Sequence, residues 1–124
     1  MNILKITTDN QLIEMEWPQK GEKEFLRKEV GGWYERVRPK RLYQELLGYE
    51  VCMVVNSDGV LEGFPVNAVA SWLYQSDQNG SLIVGDVLIV GEYQDEEDLL
   101  FDQIPPEQYE ALRDKLQYIL EEVE

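Results

Sequence analysis

The chain has 124 residues, and its 25 acidic and 11 basic side chains give a formal net charge of −14. This length fits one domain. The charge argues against direct binding to nucleic acid or to an anionic membrane, because both attract a positive surface. The absence of histidine excludes Ser-His-Asp and Cys-His catalysis and histidine-containing metal sites.

The first half of the chain alternates short apolar runs with turn residues. Two adjoining runs predict a β-hairpin, because Thr8-Asp9-Asn10-Gln11 provides a turn between them. Gly31-Gly32 predicts the end of the helix that precedes it. The predicted elements are strands at residues 2–8 and 11–17, a helix at 22–30, a strand at 33–38 and a helical turn at 42–47.

In the second half, the clearest predicted strand covers residues 50–56 and is rich in β-branched side chains. The turn signal Asn56-Ser57-Asp58-Gly59 predicts a second hairpin over residues 50–63. Asn67 is the predicted N-cap of a helix at about residues 68–75.

The remaining predicted elements are a loop at 76–80, a strand formed by the apolar runs 82–84 and 87–90, and an acidic loop at 94–102. The apolar runs predict a strand that is buried on both faces and is closed by Gly91. Pro105-Pro106-Glu107 predicts the start of the last helix, which extends to about Val123.

This mixture of elements predicts an α+β fold. We expect a single domain with a mainly antiparallel sheet of two or more hairpins, short helices and an amphipathic C-terminal helix. Residues 1–91 are predicted to form a compact core, with an acidic loop and a C-terminal helix in residues 92–124 packed on the same domain. Cys52 lies in an apolar run and is predicted to be buried. No apolar stretch of about 18 residues and no export signal are present, so a cytoplasmic location is expected.

The negative charge is concentrated in the second part of the chain. Residues 1–50 hold nine bases and nine acids, whereas residues 51–124 hold 16 acids and two bases. Residues 92–124 alone hold 12 acids and the same two bases, a net charge of 2 − 12 = −10. The excess charge is therefore a regional property.

The last helix separates apolar from acidic side chains. Its apolar stripe predicts the face toward the core and consists of Tyr109, Leu112, Leu116, Ile119, Leu120 and Val123. The opposite face carries Glu107, Glu110, Asp114 and Glu121. Glu110 and Asp114 are four residues apart, so their like charges repel. Surface helices normally intersperse the two signs, so this face suggests a role that offsets the repulsion.

Three interpretations of the acidic region are open. It keeps the protein soluble, it docks on a basic groove of a protein that normally holds nucleic acid, or residues 95–102 bind a divalent cation through oxygen ligands. The residues assigned to partner binding are Glu96, Glu97, Asp98, Asp102, Glu107, Glu110, Asp114 and Glu121.

A basic patch precedes the acidic region and consists of Arg36, Arg38, Lys40 and Arg41. One interpretation is intramolecular pairing with the acidic half. A second is a phosphate or nucleotide site in which these bases bind phosphate and Trp33 or Tyr34 stacks on a base. A third is an ordinary solvated patch.

Four ordered blocks resemble a family of small proteins known only as a domain of unknown function, common in phages, plasmids and bacterial genomes. The blocks are residues 31–37, residues 53–56 with Gly59, the set Gly63, Pro65, Asn67 and Ala70, and residues 83–91. The similarity covers about residues 30–91 and leaves the acidic residues after them outside. It implies a compact α+β domain and a mobile-element setting, without a reaction or catalytic residues.

Together these observations predict a non-enzymatic acidic protein, without cofactor or metal, that inhibits a host nucleic-acid-binding defence protein of the restriction or CRISPR type by nucleic-acid mimicry. In a phage setting it would act in the host cytoplasm. One alternative is a protein that binds a nucleotide or phosphorylated signal through the basic patch. Another is an oligomeric structural module, in which Leu116, Ile119 and Val123 contact a second copy.

Overall fold

Six strands form one antiparallel sheet in the computed structural model, which describes residues 1–44 and 50–122. The strands are β1 (Ile3–Ile6), β2 (Leu12–Met15), β3 (Tyr34–Val37), β4 (Val51–Asn56), β5 (Val87–Asp95) and β6 (Asp98–Asp102). The helices are α1 (Glu22–Val30), α2 (Lys40–Gln44), α3 (Ala68–Leu73), α4 (Ser76–Asn79) and α5 (Pro106–Glu122). The predicted α+β class is confirmed.

β5 lies at the centre of the sheet. The strand order is β2-β1-β5-β4-β3, and β6 pairs with the C-terminal part of β5. β1 pairs with the first residues of β5, from Ile6–Val87 to Leu4–Ile89. β1 and β6 therefore pair with successive parts of β5, and β6 pairs with the part that extends beyond β1.

Helices cover both faces of the sheet. On one face, Ile89 belongs to a cluster with Leu73 of α3 and Leu116 of α5. On the other face, Leu88 packs in a cluster with Leu26 of α1. Neighbouring residues of a strand point to opposite faces, so the central strand is buried on both sides, as its continuous apolar run predicted.

Elements that depend on local signals are confirmed. β1 and β2 form the predicted N-terminal hairpin. α1 ends at Gly31, whose φ of 85° suits a residue without Cβ. The Asn67 side chain accepts a hydrogen bond from Ala70 N at 3.1 Å and caps α3. The apolar stripe of α5 places Leu112, Leu116 and Leu120 in the core, whereas Val123 lies outside the described residues.

The predicted hairpin over residues 50–63 is wrong. β4 pairs with β3 and β5, and residues 57–63 form consecutive turns. The Asn56 side chain accepts from Asp58 N at 2.7 Å, and the Phe64 amide donates to Gly59 O at 3.0 Å. Because these local bonds take up the backbone groups, no returning strand forms.

Two neighbouring predictions also need correction. The predicted loop at 76–80 contains the short helix α4, which lies between left-handed residues at Gln75 and Gly80. The apolar run 82–84 is not part of β5; Val84 makes only an isolated bridge to Val66. The predicted helical turn at 42–47 corresponds to α2, which begins earlier, at Lys40; residues 45–49 lie outside the described residues.

The predicted acidic loop at 94–102 is a β-hairpin, and Gly91 does not close β5. β5 continues to Asp95, and β6 returns along it. Gly91 instead allows the backbone at Gln103 to approach β5 closely, because a Cβ at position 91 would lie 2.0 Å from Gln103 O. The prediction failed because the acidic residues suggested a loop, whereas the apolar Leu99-Leu100-Phe101 run favours a strand.

Candidate functional site

The hairpin formed by the end of β5 and by β6 extends beyond the end of β4. The β4–β5 pairing ends at Val51–Gly91, but β5 and β6 stay paired as far as Asp95–Asp98. We call residues 93–100 the acidic ribbon. Its two-residue turn is Glu96-Glu97, and Glu96 has a φ of 53°.

Four consecutive acidic residues form the tip of the acidic ribbon. Asp95, Glu96, Glu97 and Asp98 are all exposed. Among the described residues, none of these carboxylates has a basic group within 4.0 Å. Asp95 and Asp98 are also directly opposite each other, which costs roughly 0.2–1 kcal/mol for like charges. The tip thus concentrates negative charge without internal compensation.

The acidic face of α5 is partly neutralised. Glu107, Glu110, Asp114 and Glu121 are exposed, as the helical pattern predicted. However, Arg113 Nη2 lies 3.0 Å from Asp114 Oδ1 and 3.8 Å from Glu110 Oε1. This face therefore has a weaker net charge than the sequence pattern suggested.

The side chain of Glu14 on β2 connects this helix to the sheet. Tyr109 donates to its carboxylate at 2.7 Å, and Arg113 lies 3.4 Å from it. The hydrogen bond from Tyr109 and the charge of Arg113 hold the pKa of Glu14 below its ordinary value. Burial and the carboxylate in turn raise the pKa of Tyr109.

Asp102 is separated from the other residues assigned to partner binding. It is only partly exposed and lies near Glu22, at the start of α1. Burial, followed by the charge of Asp102, raises the pKa of Glu22. The structure therefore brings Glu96, Glu97 and Asp98 together at the tip, and it directs Asp102 toward a different part of the surface.

A groove of about 550 Å³ lies between the acidic ribbon and the first turn of α1. We call it the α1 groove; it is lined by Gly21, Glu22, Lys23, Glu24, Tyr34, Leu99, Leu100 and Phe101. This groove was not predicted from the sequence. The apolar run that follows the acidic tip was the available signal, because such a run in a charged segment indicates a partly buried strand.

The three arginines of the basic patch form ion pairs within the protein. Arg36 Nε and Arg38 Nε lie 3.2 Å and 3.1 Å from the two oxygens of Glu92, and Arg41 pairs with Asp77 at 2.9 Å. Lys40 is exposed. The predicted pairing with the acidic half is confirmed for the three arginines.

The aromatic residues proposed to stack on a base also have partners. The Trp33 ring holds the Arg27 guanidinium at 4.2 Å from its centroid, and Tyr34 packs edge-on against Phe101. The nucleotide-binding alternative thus lacks a cluster of available basic groups.

The metal-site and second-copy alternatives depend on which side chains the fold brings together and which it leaves exposed. Within residues 1–44 and 50–122, no three acidic or cysteine side chains are grouped so that they could hold a metal ion. Leu116, assigned to a contact with a second copy, is completely buried in the core.

Cys52 is buried as predicted, and burial raises the pKa of its thiol to about 12. Among the helices that the structure describes, none has the length and hydrophobicity required to span a bilayer.

The blocks that carried the family resemblance meet at one end of the sheet. The Phe64 ring packs against Gly31 and Gly85, where a Cβ would lie 3.2 Å and 2.9 Å from it. Asn56 donates to Val30 O at 3.0 Å, and Asn67 donates to Gly85 O at the same distance. The residues of these blocks therefore stabilise the fold through packing contacts and hydrogen bonds.

Comparison with known proteins extends this resemblance. A family model described as a domain of unknown function matches residues 1–117. The suspected family is therefore confirmed. The expectation that the acidic residues after 91 lie outside it is wrong for residues 92–117, whereas Glu121 lies beyond the matched region. No curated protein and no solved structure matches the chain.

Proposed function

This chain belongs to the family Domain of unknown function (DUF3846), and we propose that it is a non-enzymatic protein that binds a basic groove of a nucleic-acid-binding protein. The observation that carries the proposal is the tip of the acidic ribbon. Its four exposed carboxylates have no basic partner among the described residues. They are therefore available to lysine and arginine side chains of another protein.

The shape of the ribbon supports this proposal. Carboxylates on a projecting two-stranded element can enter a groove, whereas carboxylates on a flat surface would meet only its rim. The exposed side chains of Glu107 and Glu121 on α5 supply further negative charge. Such charge steers a basic partner and sets the orientation of the complex. Salt should weaken binding, because the screening length falls from about 10 Å at 0.1 M to about 3 Å at 1 M.

The local cost of the tip also supports a function in binding. Glu96 is a non-glycine residue in the left-handed region, which costs about 1 kcal/mol. The opposed Asp95 and Asp98 add like-charge repulsion. Strained backbone is often found at ligand-binding and switch regions, and a basic partner would offset the repulsion between the carboxylates. Solubility alone would be served by acids at less costly positions.

We assign the partner to the host defence proteins, of the restriction or CRISPR type, whose basic grooves bind nucleic acid. This assignment uses the mobile-element setting that the family resemblance implies, and it is an argument by analogy. In this role the carboxylates of the tip and of α5 take the place of phosphate groups. The protein would then inhibit by occupying the groove.

The experiment compares two variants with equal net charge. The ribbon variant carries Asp95→Asn, Glu96→Gln, Glu97→Gln and Asp98→Asn. The control variant carries Glu35→Gln, Asp58→Asn, Glu62→Gln and Glu122→Gln, all at exposed positions outside the ribbon. Each protein is expressed in bacterial hosts that carry a restriction or a CRISPR-type system, and the transformation efficiency of unmodified target plasmid is measured.

We expect the wild-type protein to raise the transformation efficiency in at least one restricting host. The ribbon variant should lose about tenfold or more of this effect, because several charge pairs with the partner are removed together. The control variant should retain it. The proposal is overturned if the wild-type protein protects no plasmid in any host, or if the two variants behave alike.

A further inference from the structure

We propose that the α1 groove receives an arginine-bearing, apolar segment of the partner protein. The inference rests on the proposed function, because the segment belongs to the same basic protein that the acidic ribbon is proposed to bind. The ribbon forms one wall of the groove. A partner bound at the tip would therefore lie next to the groove.

The walls of the α1 groove are apolar and only partly covered. Tyr34, Leu99, Leu100 and Phe101 are all intermediate in exposure, so their apolar surface faces the groove and solvent. The volume of about 550 Å³ is within the range of about 300–1,000 Å³ that is typical of ligand sites. Such a volume accommodates a short peptide segment, since it exceeds that of one side chain.

The rim of the α1 groove is acidic. Glu22 and Glu24 lie on the first turn of α1, and Lys23 is the basic residue among the lining side chains. Burial and then the charge of nearby Asp102 raise the pKa of the Glu22 carboxyl, and the charge of Lys23 opposes this shift. Neither Glu22 nor Asp102 has an ion-pair partner within the described residues. A cation placed between them would relieve their repulsion, so the rim complements a basic residue.

Arginine fits this combination of groups better than lysine. Its planar guanidinium can stack on an aromatic ring while it binds a carboxylate with two donors. The protein already stacks a guanidinium on the same wall, since that of Arg36 lies 4.2 Å from the centroid of the Phe101 ring. Arg36 also donates to Leu99 O at 2.9 Å. These contacts of Arg36 with Phe101 and Leu99 hold the apolar wall in place. They do not involve the acidic side chains of the rim, which are left for the partner.

The test uses a synthetic peptide as the probe. The isotope-labelled full chain is titrated with the peptide Gly-Leu-Arg-Leu-Arg-Leu-Gly, and backbone amide shifts are recorded by NMR. We expect shifts at Glu22, Tyr34 and Leu100. A peptide with citrulline in place of arginine has the same shape without the charge, and it should produce no shifts at these positions.

Two matched variants test the acidic rim. Glu22→Gln with Glu24→Gln should weaken peptide affinity about fivefold to tenfold, the sum of two charge pairs at exposed positions. Glu35→Gln with Glu62→Gln removes the same charge at exposed positions outside the groove and should leave the affinity unchanged. The proposal is overturned if the two variants bind equally, if the shifts are confined to residues 95–98, or if the groove amides do not shift.

The outcomes separate this inference from the proposed function. The loss of plasmid protection in the ribbon variant, with no effect of the rim substitutions on peptide affinity, would retain the proposed function and reject the groove. The absence of plasmid protection, together with specific arginine-dependent shifts in the groove, would reject the host-defence role and retain the groove as a binding site for basic peptides. Amide dispersion in the spectra confirms that each variant is folded.

Discussion

Asp95 and Asp98 are paired directly across the turn of the acidic ribbon. Side chains directly opposite each other on paired strands interact, and opposed like charges destabilise the pair. The hairpin nevertheless forms, because Leu99, Leu100 and Phe101 are partly buried. Apolar packing at the base of the ribbon therefore supports a tip that local electrostatics disfavours.

The first prediction concerns the stability of this tip. Asp98→Lys should raise the free energy of unfolding by about 0.5 kcal/mol, because it converts a repulsive cross-strand pair into an attractive one. Glu62→Lys makes the same charge change at an exposed turn position and serves as the control. Urea denaturation measures both variants. An equal gain in the two proteins would contradict the prediction.

The second prediction concerns Gly91. A Cβ at this position would lie 2.0 Å from Gln103 O and 2.7 Å from its carbonyl carbon, and backbone atoms cannot move away easily. Gly91→Ala should therefore lower the free energy of unfolding by about 3 kcal/mol. Gly80→Ala is the comparison, since it meets open space and adds only left-handed strain, worth about 1 kcal/mol. Thermal or urea denaturation should give the larger loss for Gly91→Ala.

The third prediction concerns the pH dependence at Glu14. The pKa of this carboxyl is below its ordinary value of 4.5 in the folded protein. Its contribution to stability is therefore present above pH 4.5 and is lost as the pH falls through the lower folded value. Glu14→Gln should destabilise the protein at about pH 7 and have little effect well below the folded pKa. Urea denaturation across this range checks the result, with Glu62→Gln as the control.

The fourth prediction has the opposite sign and concerns Glu22. Burial and Asp102 raise the pKa of this carboxyl above its ordinary value of 4.5. Stability is therefore favoured below pH 4.5 and decreases as the pH rises through the folded pKa. Glu22→Gln should stabilise the protein at about pH 7, and the gain should disappear in acid. A partial gain from Asp102→Asn would identify the repulsion. A loss of stability from Glu22→Gln at about pH 7 would contradict the prediction.

Much of the fold could be predicted from local patterns. Gly31 ends α1, Asn67 caps α3, and the apolar stripe of α5 packs in the core. In each case the physical cause acts within one or two helical turns of the residue concerned, so the pattern contains the information. The apolar run in β5 also indicated a strand buried on both faces.

The candidate site was less predictable because it depends on pairing between distant segments. Acidic composition favoured a loop at 94–102, whereas the cross-strand contacts of β5 with β6 make this segment a ribbon. Arg113 was counted as one of two bases in the acidic half, but its contact with Glu14 on β2, 99 positions away, follows only from the packing of α5 on the sheet. Arg36 and Glu92 are 56 positions apart in the chain, and no spacing rule predicts their contact.

The amino-acid order is sufficient to establish the regional excess of acid, the absence of histidine chemistry and the helices that carry their own caps. Those properties follow from composition and from interactions between near neighbours. The projection of the ribbon, the neutralisation of the basic patch and the α1 groove arise when strands and helices far apart in the chain pack together. Burial and ion pairing depend on that packing, and among the described residues they leave the ribbon carboxylates exposed and unpaired for a partner.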